Sequence, residues 1–73
     1  NNHTQVEMLL EVLADSKENE NVRVVLAEAL GWFRWSIHRE KILKALHSVY
    51  KDKATPQELR GEIHQSILRL KVV

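Results

Sequence analysis

The stretch Asp15-Ser16-Lys17-Glu18-Asn19-Glu20-Asn21-Val22-Arg23-Val24-Val25-Leu26-Ala27-Glu28-Ala29-Leu30-Gly31 decides the fold, because its skeleton returns 37 positions later as Asp52, Leu59-Arg60, Ile63 and Ile67. Its first half, Ser16 to Asn21, is polar throughout and has no apolar surface to bury, which predicts a loop. Its second half carries Val22, Val25, Leu26, Ala29 and Leu30, continued by Phe33, at the i, i+3, i+4, i+7 spacing of a helical stripe, with Asn21 placed to cap it. Working outward under the same shift, Leu9 falls on Leu46, Val12 on Val49, Leu26 on Ile63 and Leu30 on Ile67. An internal repeat of this period points to one supersecondary unit written twice.

Each unit reads as two helices. A first helix starts at a Thr4 cap and carries Val6, Leu9, Leu10 and Leu13 on one stripe, with Met8 and Val12 as a weaker second stripe. The third helix is predicted after Ser36, with Ile42, Leu43, Leu46, Val49 and Tyr50 inward, fading at Lys51-Asp52-Lys53, where lysines suit the carbonyl end of the dipole. Thr55-Pro56-Gln57-Glu58 marks the last start: a capping hydroxyl, a proline at the first helical position and a carboxylate at the third. Leu59, Ile63, Ile67 and Leu70 follow on one stripe. No stretch alternates with period two, so the expected fold is all-α, four helices in two stacked antiparallel hairpins forming a single domain over 1–73, with units 4–35 and 36–73.

At Asp15, Val22-Arg23, Leu26 and Ala29-Leu30-Gly31, with the echo at Asp52, Leu59-Arg60, Ile63 and Ile67, the chain resembles HEAT repeats over essentially its whole length. The resemblance implies a fragment of an alpha-alpha superhelix. It also implies an Asp15, Arg23, Asp52, Arg60 ladder of hydrogen bonds between units and a concave surface lined by the second helices. The second copy departs from the pattern, with His64 for Ala27, Ser66 for Ala29 and Leu68 for Gly31. Val25 and Trp32 of the first copy become Glu62 and Arg69 in the second. If that flank faces the next unit, its polar character predicts that copy two is the C-terminal cap of a longer array, with Met8 and Val12 leaning on a preceding unit. The bland alternative makes those two ordinary half-exposed residues.

At 73 residues the chain holds one small domain with a marginal core, and with no cysteine it has no disulfide to reinforce it. It opens on Asn1 rather than Met, as expected of a piece processed or excised from a longer protein. No apolar run approaches the roughly 20 residues that span a bilayer, so no membrane partner is expected and a cytoplasmic setting is the weak default. Residues 1–36 hold three Lys/Arg against six Asp/Glu, a net −3, and residues 37–73 hold eight against four, a net +4. Such polarity can orient an encounter with a charged partner.

Catalysis finds no candidates. Among His3, His38, His47 and His64 no two share the i, i+4 spacing of a helical metal face, and only His3 and Glu7 do. Serines sit in no nucleophile elbow, and Gly31 and Gly61 make neither a Walker loop nor a dinucleotide fingerprint, so no enzyme activity, cofactor or metal is expected. Binding has two candidates. Projected at about 100° per residue, Arg23 and Arg34 share one side strip of the second helix, and Arg60, His64 and Lys71 share the matching strip of the fourth. On a concave face that row would hold a protein or an acidic peptide, or the phosphate backbone of a nucleic acid, although an overall charge of +1 is far from a nucleic-acid footprint. The same residues also read structurally, Arg23 and Arg60 on the ladder and Arg34 and Lys71 as solvated helix-end cations. The other candidate is Gly31-Trp32-Phe33-Arg34-Trp35. Trp32 is expected against the adjoining unit, and Trp35 suits either an inter-repeat hinge or an interface anchor. The expected function is a non-catalytic interaction or scaffolding module, with self-association through the first helix as a further outcome.

Overall fold

All four expected helices are present in the computed structural model, which describes the backbone of residues 2–71 and the side chains of residues 4–71, although the second stops at Leu30, short of the Phe33 and Arg34 it was expected to carry. The helices are α1 (Asn2–Ala14), α2 (Glu20–Leu30), α3 (Arg39–Lys51) and α4 (Gln57–Lys71). No strand occurs among the described residues.

The loops inside the two hairpins repeat the same backbone bonds around the same aspartate. Asp15 N donates to Val12 O and Asp52 N to Val49 O, both at 3.2 Å, while Glu18 N and Thr55 N donate back to the two aspartate carbonyls at 3.1 Å. Each aspartate Oδ1 accepts the amide two residues on, from Lys17 and from Ala54, both at 2.9 Å. These are Asx turns, in which a short carboxylate substitutes for the next turn of helix and stops it. The first bond of each second helix matches as well, Arg23 N to Asn19 O and Arg60 N to Pro56 O.

Four helix starts differ from expectation. Asn19, not Asn21, caps α2, its Oδ1 accepting Val22 N at 3.2 Å. The loop bonds start α2 two residues earlier than its apolar stripe suggested. Pro56 stands where Asn19 stands in the first copy, and the Thr55 hydroxyl donates to Val49 O at 2.6 Å, closing the end of α3 instead of capping α4. Thr4 lies inside the first turn of α1. The connection between hairpins runs to His38, because the Ser36 hydroxyl accepts His38 N at 2.9 Å and holds another turn before α3 can begin.

The hairpins pack first helix to first helix and second to second. α1 lies on α2 and α3 on α4, while α1 meets α3 and α2 meets α4 across the stack. Leu13, Leu30, Ile42, Leu46, Leu59, Ile63 and Leu70 are fully buried between them. α4 buries the stripe expected of it, and so does α3 apart from Tyr50, which is half-buried against the core. α2 does not: it buries Arg23, Ala27 and Leu30, while Val22, Val25 and Ala29 are exposed. Ala27 faces α4, and Val25 points about 200° away from it at 100° per residue. The expectation that Val25 faces the second hairpin is therefore reversed, and Arg69, with Glu62 3.8 Å from it, reaches α2 at the Glu28 carbonyl instead of forming an outer cap.

Close approach of α2 and α4 depends on small residues. Ser66, fully buried, donates from Oγ to Ala27 O at 2.6 Å, and a Cβ on Gly31 would stand 2.6 Å from Ser66 Oγ and 2.8 Å from Ser66 Cβ. Gly31 has φ −67° and ψ −10°, which any residue adopts, so lack of space and not backbone freedom requires glycine here. Gly31→Ala is accordingly expected to destabilise by about 1–2 kcal/mol, overpacking outweighing a gain of roughly 0.4–1 kcal/mol from the stiffer unfolded chain. Urea unfolding checks it. A stabilised Gly31→Ala variant would show that the two helices are not in contact at this point.

Candidate interaction surfaces

The cationic strip read from the sequence is divided by its own hydrogen bonds. Arg23 is buried, 5% exposed, and its Nε donates to Leu13 O at 2.9 Å, finishing the carbonyl end of α1. Arg60 does the same for α3, its Nη2 donating to Asp52 O at 3.1 Å with the guanidinium 5.5 Å from the Tyr50 ring. Asp15 and Asp52 use their carboxylates in the Asx turns, and among the described residues neither pairs with an arginine. The Asp15, Arg23, Asp52, Arg60 ladder between hairpins is therefore not formed. Each arginine serves its own hairpin because a helix-end carbonyl lies nearer than the neighbouring carboxylate.

The remaining strip residues separate into three places. Arg34 is half-buried in the inter-hairpin loop, its guanidinium 5.6 Å from the ring of Trp35, which is 80% exposed. His64 is exposed and joins Arg60 around Tyr50, its ring centroid 6.1 Å from that of Tyr50. Lys71 lies 11 residues beyond Arg60, about 16 Å along α4. It borders a depression of about 540 Å³ with Lys41, Lys44 and His47 of α3. Trp32 packs as expected against the second hairpin: Arg69 stacks 4.6 Å from its ring, and its indole N–H donates to Glu28 Oε2 at 2.7 Å. Phe33 is half-buried against the core.

The surface that sequence reasoning missed lies on the first hairpin, on the side turned away from the second. Leu9 and Val12 of α1 and Val22, Val25, Leu26 and Ala29 of α2, with Asn21 at one end, line an open groove of about 560 Å³. Val25 is 67% exposed at its centre. Val12, assigned with Met8 to a second stripe, is part of this wall, and Met8 is itself exposed. The sequence did carry a signal, since α2 has more apolar positions than one buried stripe can use. It did not say which flank faced inward.

Among the described residues no three His, Cys, Asp or Glu side chains gather as a metal site would need, and no helix is long and apolar enough to cross a membrane. His3, paired with Glu7 by spacing, has a side chain outside the described residues. The depression at Lys71 is walled by lysine stems and Leu43, and Lys41 is held by Glu7 at 2.9 Å.

Two substitutions separate a ladder from helix-end closure. Asp15→Asn keeps an oxygen for the Asx turn and is expected to change stability by less than about 0.5 kcal/mol, whereas Arg23→Ala strips a buried charged donor from a helix end and costs about 2–3 kcal/mol. Urea titration reads both. Equal losses for the two would restore the ion-pair ladder.

No protein-family model, curated protein or solved structure matches this chain, so its function is argued from its own residues.

Proposed function

We propose that this chain is a non-catalytic protein-interaction module of HEAT-like stacked hairpins, and that its docking surface is the apolar groove of the first hairpin rather than the cationic strip. The carrying observation is the groove itself, with six apolar side chains contributed by two helices and Val25 standing two-thirds exposed in the middle. An apolar surface of this kind on a small domain marks a place where something packs. Parallel ridges from α1 and α2 suit an amphipathic helix, which lays its own apolar face between them.

The HEAT-like reading is supported by the 37-residue repeat, by the Asx turns reproduced in both hairpins and by the pairing of second helix with second helix. Nucleic-acid binding has less to stand on. Two of its five cations, Arg23 and Arg60, hold carbonyl groups, and the other three do not form a row. A phosphate backbone needs several free cations in register.

Titration of the ¹⁵N-labelled chain with an amphipathic Leu/Ala/Lys peptide of about 18 residues, long enough to be helical when bound, tests this reading. Amide shifts are expected at Val12, Val22, Val25 and Ala29, and Val25→Glu should remove them while changing stability by under about 0.5 kcal/mol, as at other exposed sites. A random DNA duplex at ~50 mM salt should shift nothing. The proposal is overturned by a peptide that leaves the groove unshifted, or by a duplex that shifts Arg34 and Lys71.

A further inference from the structure

Resting on that reading, we infer that the occupant of the groove is a further α-hairpin of the same template. It would lay its second helix along Val25 and Ala29 through small residues in the places of Ala27 and Gly31, and it would not be a second copy of this chain. The internal repeat carries the argument, because it shows what happens to the groove's counterpart when a neighbour is present. Shifted by 37, Leu9, Val12, Val22, Leu26 and Ala29 become Leu46, Val49, Leu59, Ile63 and Ser66. All five of those are buried, at 0–7% exposure. Val25 becomes Glu62, which is half-buried beside Arg69. The first hairpin supplies part of that cover, with Ala27 against Ser66 and the carbonyl of Glu28 against Arg69 at 3.1 Å.

α2 therefore has two flanks of opposite use. Its Ala27–Gly31 flank is the approaching surface of the stack, already engaged on α4. Its Val25–Ala29 flank is the receiving surface, the counterpart of the Glu62–Ser66 flank of α4, which meets α2 through Ser66. A hairpin that offers the first kind of surface fits the second kind by the geometry already present between the two copies.

The receiving surface also specifies its partner's chemistry. Where α4 has Glu62, Ser66 and Arg69, α2 has Val25, Ala29 and Trp32, so beyond Asn21 at one end the groove offers no polar side chain to answer a polar group. The incoming helix must be apolar along the seam, since a buried unpaired donor costs about 1–3 kcal/mol. It must also be small at the Gly31 position, where a Cβ already lies too close in the observed contact.

The second hairpin of this chain fails both requirements. Its outward flank carries His64 in the place of Ala27, Gln65 in that of Glu28 and Leu68 in that of Gly31, all exposed. Copies of the chain therefore do not stack head to tail, and an open-ended filament is avoided.

Joining a duplicate of residues 1–37 directly ahead of the full chain keeps the register, since Asn2 then follows the added unit as Arg39 follows the first. A single unfolding transition with a midpoint raised by on the order of 10 °C is expected, a gain of a few kcal/mol in a chain of this size. Placing Ala27→His and Gly31→Leu in the added unit alone should abolish the rise. If the fusion does not fold, the full chain carrying His64→Ala and Leu68→Gly, both exposed positions, gives the same reading: its fourth helix then offers the approaching surface, and concentration-dependent amide shifts at Val22, Val25 and Ala29 that the unsubstituted chain does not show are expected. The inference is overturned by no rise and no such shifts, by an equal effect from the doubly substituted unit, or by sedimentation of the 73-residue chain as a dimer dispersed by Val25→Glu. The Leu/Ala/Lys peptide still shifting the groove in those cases would leave the interaction reading intact. Its failure as well would remove both.

Discussion

The contact between α2 and α4 sets the position of everything else. Two helices approach closely only where side chains are small, and here Ala27 and Gly31 face Ser66. The Ser66 hydroxyl would compete with helical bonding on its own helix, but buried at this seam it finds the Ala27 carbonyl instead. Arg69 covers the join, donating to Glu28 O and to Ser66 Oγ while its guanidinium lies on Trp32. With α2 held there, α1 is carried onto α3, and the ion pair of Glu7 with Lys41 forms at the far edge. That pair is exposed and contributes little; the seam and the apolar core beneath it do the holding.

A second constraint follows from what the chain does not use. No described residue has a positive φ, so no helix ends in the left-handed glycine turn that commonly satisfies terminal carbonyls. Arginines from other helices do this work: Arg23 on α1 at Leu13, Arg69 on α2 at Glu28, Arg60 on α3 at Asp52 and Arg39 on α4 at Leu70. Each places a cation at the negative end of a helix dipole and ties that end to another helix. The arginines that looked like a binding strip in the sequence are in large part the fastenings of the fold.

Period and polarity made the helices legible. A polar loop at Ser16–Asn21, aspartates repeated at a fixed offset and stripes at helical spacing located the four helices from one sequence; α4 buries the residues expected, and α3 does so except for the half-buried Tyr50. The errors have local causes. Asn19 and Asn21 are equally good caps, and only the bond to Val22 distinguishes them. Thr55 can accept from α4 or donate to α3, a choice made by the turn at Asp52. α2 has apolar residues on two flanks, Val25 and Ala29 on one and Ala27 and Leu30 on the other, and composition cannot rank them. Packing does, because only the second flank has room for Ser66. The groove was misassigned for that reason: Val22, Val25, Leu26 and Ala29, which line it, are the stripe that helical spacing marked for burial.

The account makes the two hairpins one cooperative body with one further receiving surface, joined by a seam that neither hairpin possesses alone. Native-state hydrogen exchange of the Leu30 and Ile67 amides, one on each side of that seam, tests this most directly. Both amides are expected to exchange only through global unfolding, with the same opening free energy and the same denaturant dependence. Protection at Ile67 that persists while Leu30 exchanges through a smaller opening would mean that the second hairpin stands without the first, and would contradict the stacking on which the structure and its function are argued to rest.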